Sequence, residues 1–161
     1  MVLLHSLAKG RDVAKSLKQG IVVSADTIVV FENHVLGKPK TPEKAKEMLN
    51  KINGKIVEIL TGMAVIDIEN KKELQNFEKA KIKIKQMSEQ EIYGYIKTGE
   101  PLDKAGAFAV QGRGAVLIEK IDGDFFNVVG LPLFKLNNLF NQLGISVFDS
   151  AFLSGLPRRQ F

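Results

Sequence analysis

Ile21-Val22-Val23-Ser24-Ala25-Asp26-Thr27-Ile28-Val29-Val30-Phe31 is the stretch on which the fold turns. It is β-branched and almost wholly apolar, which predicts a strand buried on both faces. Asn33-His34 marks a turn after it. Upstream, Leu3, Leu4, Leu7, Val13, Ala14 and Leu17 share roughly one helical face, and Gly20 supplies a stop. Downstream, Thr41-Pro42 opens a helix with Thr as N-cap and Pro at the first position, and Asn53-Gly54 closes it. Its apolar face is Ala45, Met48, Leu49 and Ile52. Two strands are expected near residues 56–60 and 63–68, followed by a polar connection at 69–72. Lys79, Lys81, Lys83 and Lys85 alternate with apolar residues, as in a half-exposed strand. Ser88-Glu89-Gln90-Glu91 is a capping box that starts a helix ending about Lys97. Residues 115–121 and 125–129 flank Asp122-Gly123, a hairpin signal. Residues 132–143 form a last helix, stopped by Gly144. The pattern is α/β: a mixed, twisted sheet with flanking helices, not a uniform βαβ series.

At 161 residues, 45% hydrophobic and 25% charged, the chain reads as one domain over 1–161, with an atypical tail at 143–161. It contains no cysteine, which excludes a disulfide framework, a thiolate metal site and a cysteine nucleophile. No apolar run approaches the ~20 residues of a membrane helix, and residues 1–20 lack a signal-peptide pattern, so a cytoplasmic location without membrane contact is expected. A net charge of +5 suits a phosphate-rich ligand or a solvated basic surface. Tryptophan is absent and tyrosine occurs only at 93 and 95, so a base-stacking platform is poorly supplied and nucleic acid is not the expected partner. The lysine stripe reads as the wet face of a strand.

Asp26 is the most informative residue. A carboxylate within so apolar a strand must face a cavity, a metal or a lysine, or cap the strand end. Facing a cleft, it is a candidate general base or metal ligand. Gly37 and Pro39 stiffen the backbone around Lys38, as suits a lysine aimed at a fixed anion. Residues 99–114 gather Glu100, Asp103, Lys104, Gln111 and Arg113 among glycines whose N–H groups can approach a ligand. Glu100 or Asp103 could hold Mg²⁺, and Gln111 offers the donor and acceptor that reading a base edge needs. His5 and His34 lack metal-ligand spacing and read as surface histidines. No GxGxxG or Walker loop follows a strand, and Ser24 lacks a GxSxG context.

In this order the segments resemble the Maf family, the septum-formation-inhibitor-like nucleoside triphosphate pyrophosphatases. Lys9-Gly10-Arg11-Asp12-Val13-Ala14 resembles its KAxxVA helix, and Ser24-Ala25-Asp26-Thr27 its (G/S)ADT strand. Gly37-Lys38-Pro39, Thr61-Gly62 and the run from Thr98 to Gly106 follow, then Gln111-Gly112-Arg113-Gly114 and the run from Asp124 to Pro132. The resemblance implies a Maf/ITPase-like fold and hydrolysis of a nucleoside triphosphate to the monophosphate and pyrophosphate. It implies Asp26 as proton acceptor for the attacking water, with Lys38 and Lys9 facing the phosphates. It also implies a divalent cation, Mg²⁺ or Mn²⁺, for which Asp26, Glu100 and Asp103 are the candidate ligands, and it is compatible with a homodimer. Thr27 and Gln111 resemble the branch acting on dTTP and UTP; the 7-methyl-GTP branch tends to carry Gln and Glu there. Arg113 joins them as a substrate-binding candidate.

Family members normally begin with a strand leading into an SxSPRR turn, which does not precede Lys9 here. Residues 151–161 resemble that element, with Arg158 and Arg159 in place of its arginines. The expectation is a truncated or permuted member with reduced activity, the two arginines binding triphosphate. The other expectation is a catalytically impaired nucleotide-binding regulator of cell division.

Overall fold

The computed structural model describes residues 1–149. Its centre is a five-stranded sheet in the order β2-β1-β3-β4-β5. The strands are β1 (Ile21–Phe31), β2 (His34–Leu36), β3 (Ile56–Asp67), β4 (Lys72–Ile84) and β5 (Ile118–Asp122). The α/β class and the flanking helices hold. Every pairing among the described residues is antiparallel, however, where a mixed sheet was expected. The reason is local: β1–β2 and β3–β4 are joined by short turns, which only antiparallel neighbours permit. The first turn is Glu32-Asn33, both at positive φ, one residue earlier than predicted.

Helix α1 (Val2–Ala14) covers one face of the sheet. Gln75 Nε2 donates to the Leu3 carbonyl at 2.7 Å, and Arg11 binds Glu73 with two hydrogen bonds. Helices α2 (Pro42–Ile52), α3 (Glu89–Lys97), α4 (Phe125–Val129) and α5 (Leu133–Gln142) lie on the other face. Two apolar clusters fill that face. One joins Val29, Ile59 and Ile82 to Leu49, Ile52 and Ile92; the other joins Met63 and Val65 to Leu136, Leu139 and Phe140.

Thr61-Gly62, read as a break between two strands, instead sits inside one continuous β3. A Cβ at Gly62 would stand 2.6 Å from the Val2 carbonyl carbon, so this glycine marks where α1 presses its backbone onto the sheet. The hairpin expected across Asp122-Gly123 does not form. Asp124 Oδ1 accepts from the Phe126 N–H at 2.7 Å and caps α4, and Gly130 ends that helix in the left-handed conformation. Capping overrides the β propensity of Phe125-Phe126 and Val128-Val129.

The β1 strand is not buried on both faces as expected. Its residues from Ser24 to Ile28 are only partly buried. On one side β3 pairs with β1 from Ile21 to Val30; on the other β2 reaches only Val29, Val30 and Phe31. Among the described residues, no strand pairs with the outer edge of β1 before Val29.

Candidate active site

The site is built on that open edge. Side chains alternate along a strand, so Asp26 and Thr27 point to opposite faces of β1. Asp26 faces α1. Ser24 Oγ donates to the Ser6 carbonyl at 2.7 Å, and Gly10 packs over Ser24 where a Cβ would meet Oγ at 2.6 Å. This close seating brings Lys9 Nζ to 2.5 Å from Asp26 Oδ1 and 3.3 Å from the Ala25 carbonyl. His5, one helical turn before Lys9, sets Nδ1 3.3 Å from Asp26 Oδ2. The Asp26 side chain is 15% exposed, and the Lys9 side chain 57%. A nearly buried carboxylate is thus held by a cation that reaches it from solvent.

Thr27 faces a cleft of about 400 Å³ that also takes in Lys38, Asp103, Lys104 and Gln111. Its hydroxyl is 2.8 Å from Thr61 Oγ1, which donates to the Asn127 carbonyl at 3.0 Å. The single Thr61 proton is therefore used, so Thr27 donates to Thr61. Thr61 and Asn127 are buried, and this polar ladder fixes Thr27 at the cleft floor. Backbone bonds stitch the two cleft walls together: Gly106 N–H donates to Gly37 O at 3.1 Å, and Lys40 N–H to Leu102 O at 3.0 Å. Lys38 and Asp103 are placed by that stitching. Lys104, donating to Asp103 at 3.0 Å, and then Lys38 hold the Asp103 carboxyl below its ordinary range.

Glu100, a candidate metal ligand, does not line the cleft. Its carboxylate accepts from the Tyr95 hydroxyl at 3.0 Å, the Arg113 N–H at 2.9 Å and the Gly114 N–H at 2.8 Å. Burial works to raise its pKa, but these hydrogen bonds outweigh it and hold the carboxyl below the ordinary value. Arg113 is exposed, does not line the cleft and contributes its backbone to Glu100. Asp26, Glu100 and Asp103 do not converge: among the described residues no three acids or histidines form a metal cluster. Arg158 and Arg159 lie outside the described residues. In the lysine stripe, Lys79 pairs with Glu58 and Lys85 with Glu91, while Lys83 donates to the Gly54 carbonyl.

Sequence reasoning missed His5, Tyr95, Thr61 and Asn127. The spacing of His5 and Lys9, four apart on one helix, was the available signal for the first. Thr61 and Asn127 lie within segments that resemble the family, but their individual contacts, like that of Tyr95 with Glu100, are not readable locally.

The family model described as Maf-like protein matches residues 1–143. Over 152 residues the chain is 52% identical to a protein of Methanosarcina mazei named dTTP/UTP pyrophosphatase, covering 94% of this chain and 77% of that one. Proteins of the same name from Caldicellulosiruptor saccharolyticus and Dictyoglomus thermophilum are 51% and 42% identical, over 83% and 91% of this chain and 67% and 76% of their own lengths. With the family's segments found along one cleft and one strand edge, and a match over most of its length, the chain belongs to the Maf-like protein family.

Proposed function

We propose that this chain hydrolyses dTTP and UTP to the nucleoside monophosphate and pyrophosphate. The observation that carries the reading is Asp26, nearly buried at an open strand edge and held by Lys9, with a nucleotide-sized cleft on the opposite face of the same edge. The substrate lies across that edge. Its base enters the cleft, where the Gln111 amide and the Thr27 hydroxyl meet a uracil-like edge. Its triphosphate passes over β1 toward Lys9 and Lys38.

Asp26 accepts a proton from the attacking water as the water oxygen bonds the α-phosphorus. The bond from the α-phosphorus to the bridging oxygen breaks, and pyrophosphate leaves with its electron pair. Lys9 exchanges Asp26 for phosphate on binding, freeing the carboxylate to act as base, and with Lys38 offsets the charge that builds on the phosphoryl oxygens. Positioning and charge neutralisation thus supply most of the catalysis.

A divalent cation, Mg²⁺ or Mn²⁺, fits this arrangement, because Mg²⁺ takes one or two carboxylates and completes its shell with water and substrate phosphates. Because Asp26 and Asp103 do not converge, one carboxylate would hold it, Asp26 at the strand edge, with the substrate phosphates and water completing the shell. Asp103 lines the cleft on the opposite face, and Glu100 is already satisfied by protein donors. The cation would lower the pKa of bound water and neutralise phosphate charge. Arg158 and Arg159 belong to the same proposal as triphosphate ligands. Asp149, where the described chain stops, lines a groove with Ile21 and Val23 at the start of the open β1 edge. The cytoplasm is the proposed location, and no helix among the described residues is long and apolar enough to cross a membrane. A homodimer, the assembly the resemblance allows, is read by light scattering.

The test is pyrophosphate release from dTTP, UTP and 7-methyl-GTP under one Mg²⁺ condition. The reading expects dTTP and UTP to be turned over fastest. Preference for the methylated purine would overturn the base assignment, and triphosphate binding without release would leave a nucleotide-binding regulator.

A further inference from the structure

The loop that carries Gln111 gives two of its N–H groups to a carboxylate that does not line the cleft. Consecutive N–H groups of Arg113 and Gly114 converge on Glu100, forming a backbone nest of the kind that binds anions. In this chain the anion is internal. The nest that a glycine-rich sequence offers to phosphate is filled by a carboxylate from residue 100.

Glu100 is itself held in place. Tyr95, almost fully buried on α3, donates its hydroxyl to Glu100 Oε1. Thr98 Oγ1 donates to the Tyr95 carbonyl at 2.6 Å and accepts from the Glu100 N–H at 3.2 Å, tying the two backbones together. The glycines serve this clamp. At Gly112, with φ of +78°, a Cβ would lie 2.7 Å from Glu100 Oε2; at Gly114 one would lie 2.5 Å from the Tyr95 hydroxyl. The residues just ahead of the clamp, Ala109, Val110 and Gln111, form one wall of the cleft.

We infer that Tyr95 and Glu100 are positioning residues that fix the Gln111 wall and thereby set which base the cleft accepts. The inference rests on the nucleotide reading above and assigns Glu100 to base selection instead of metal binding. Neither residue touches substrate. Loosening the clamp lets the amide of Gln111 wander, so weaker base discrimination follows, together with a higher KM.

Tyr95→Phe and Glu100→Gln test this in the full chain. Tyr95→Phe removes one charge-assisted hydrogen bond, so KM for dTTP should rise about tenfold with kcat within about twofold. The preference for dTTP over dCTP, read as a ratio of kcat/KM, should fall by a similar factor, and half-saturation by Mg²⁺ should stay put. Hydrogen exchange at the Arg113 and Gly114 amides should quicken in both variants. If Glu100 instead holds metal, Glu100→Gln raises the Mg²⁺ requirement and Tyr95→Phe leaves base preference unchanged; that pattern overturns the inference. Unaltered exchange at both amides overturns it as well. Exchange reads the clamp even if the chain hydrolyses no nucleotide, and base preference can then be read from calorimetric binding of dTTP and dCTP. Failure of the pyrophosphatase reading is thereby distinguished from failure of this one.

Discussion

Lys9 Nζ on α1 lies 2.5 Å from Asp26 Oδ1 on β1, joining residues seventeen apart in sequence across the helix–sheet interface. The pair couples α1, the one helix on that face among the described residues, to the carboxylate proposed as the base. Lys9→Met should therefore lower kcat/KM for dTTP by about a hundredfold, the usual cost of losing one charged donor to a reacting phosphate. Because Lys9 is more than half exposed, stability should change by less than about 1 kcal/mol. Parallel pyrophosphate release and urea unfolding check both halves.

Much of this was legible in the sequence for identifiable reasons. The caps Thr41 and Ser88, the β-branched β1 and the Gly144 stop are local signals, and the structure uses each of them. What misled were positions where tertiary contact decides. Gly62 looks like a break because the helix that needs its missing Cβ is sixty residues away in sequence. Asp122-Gly123 looks like a hairpin because the cap made by Asp124 competes with it. At the candidate site, Asp26 and Lys38 stood out by residue type and context and Lys9 by the family resemblance; the structure sets Lys9 on Asp26 and Lys38 on the cleft. Glu100 was readable as important but not as a clamp, since its role depends on N–H groups thirteen and fourteen residues on.

Two glycines should respond in opposite directions. Gly62→Ala forces a Cβ against the Val2 backbone, which cannot step aside like a side chain, and should destabilise by roughly 1–3 kcal/mol. Gly94 lies exposed within α3 with nothing within 4 Å of its Cβ position, so Gly94→Ala should stabilise by about 0.5–1 kcal/mol. Urea midpoints at constant m-value read both changes.

The capping box of α3 should be acid-sensitive. The hydrogen bond from Lys85, then that from the Ser88 backbone, lowers the Glu91 pKa from 4.5 to about 2. A depressed carboxyl contributes stability above its unfolded pKa and loses that contribution as pH falls through its folded value. The start of α3 should therefore loosen between pH 4.5 and pH 2, followed by hydrogen exchange at the Glu91 and Ile92 amides. Glu91→Gln should flatten that dependence.

Residues 155–161 should matter to triphosphate affinity. If Arg158 and Arg159 bind phosphate, deleting these residues should weaken dTTP binding by tenfold or more, since forked guanidinium–phosphate hydrogen bonds are among the stronger polar contacts. Calorimetry on the shortened chain measures it; unchanged affinity would remove both arginines from the site.

The central claim is that Asp26 is the base for attack at the α-phosphorus, and Asp26→Asn tests it most directly. The amide keeps the volume but has neither the charge nor the basicity. With dTTP and Mg²⁺, the unaltered chain should release dTMP and pyrophosphate in equal amounts, while Asp26→Asn should bind dTTP and release neither. Undiminished pyrophosphate release by Asp26→Asn, or release of orthophosphate by the unaltered chain, would contradict the account.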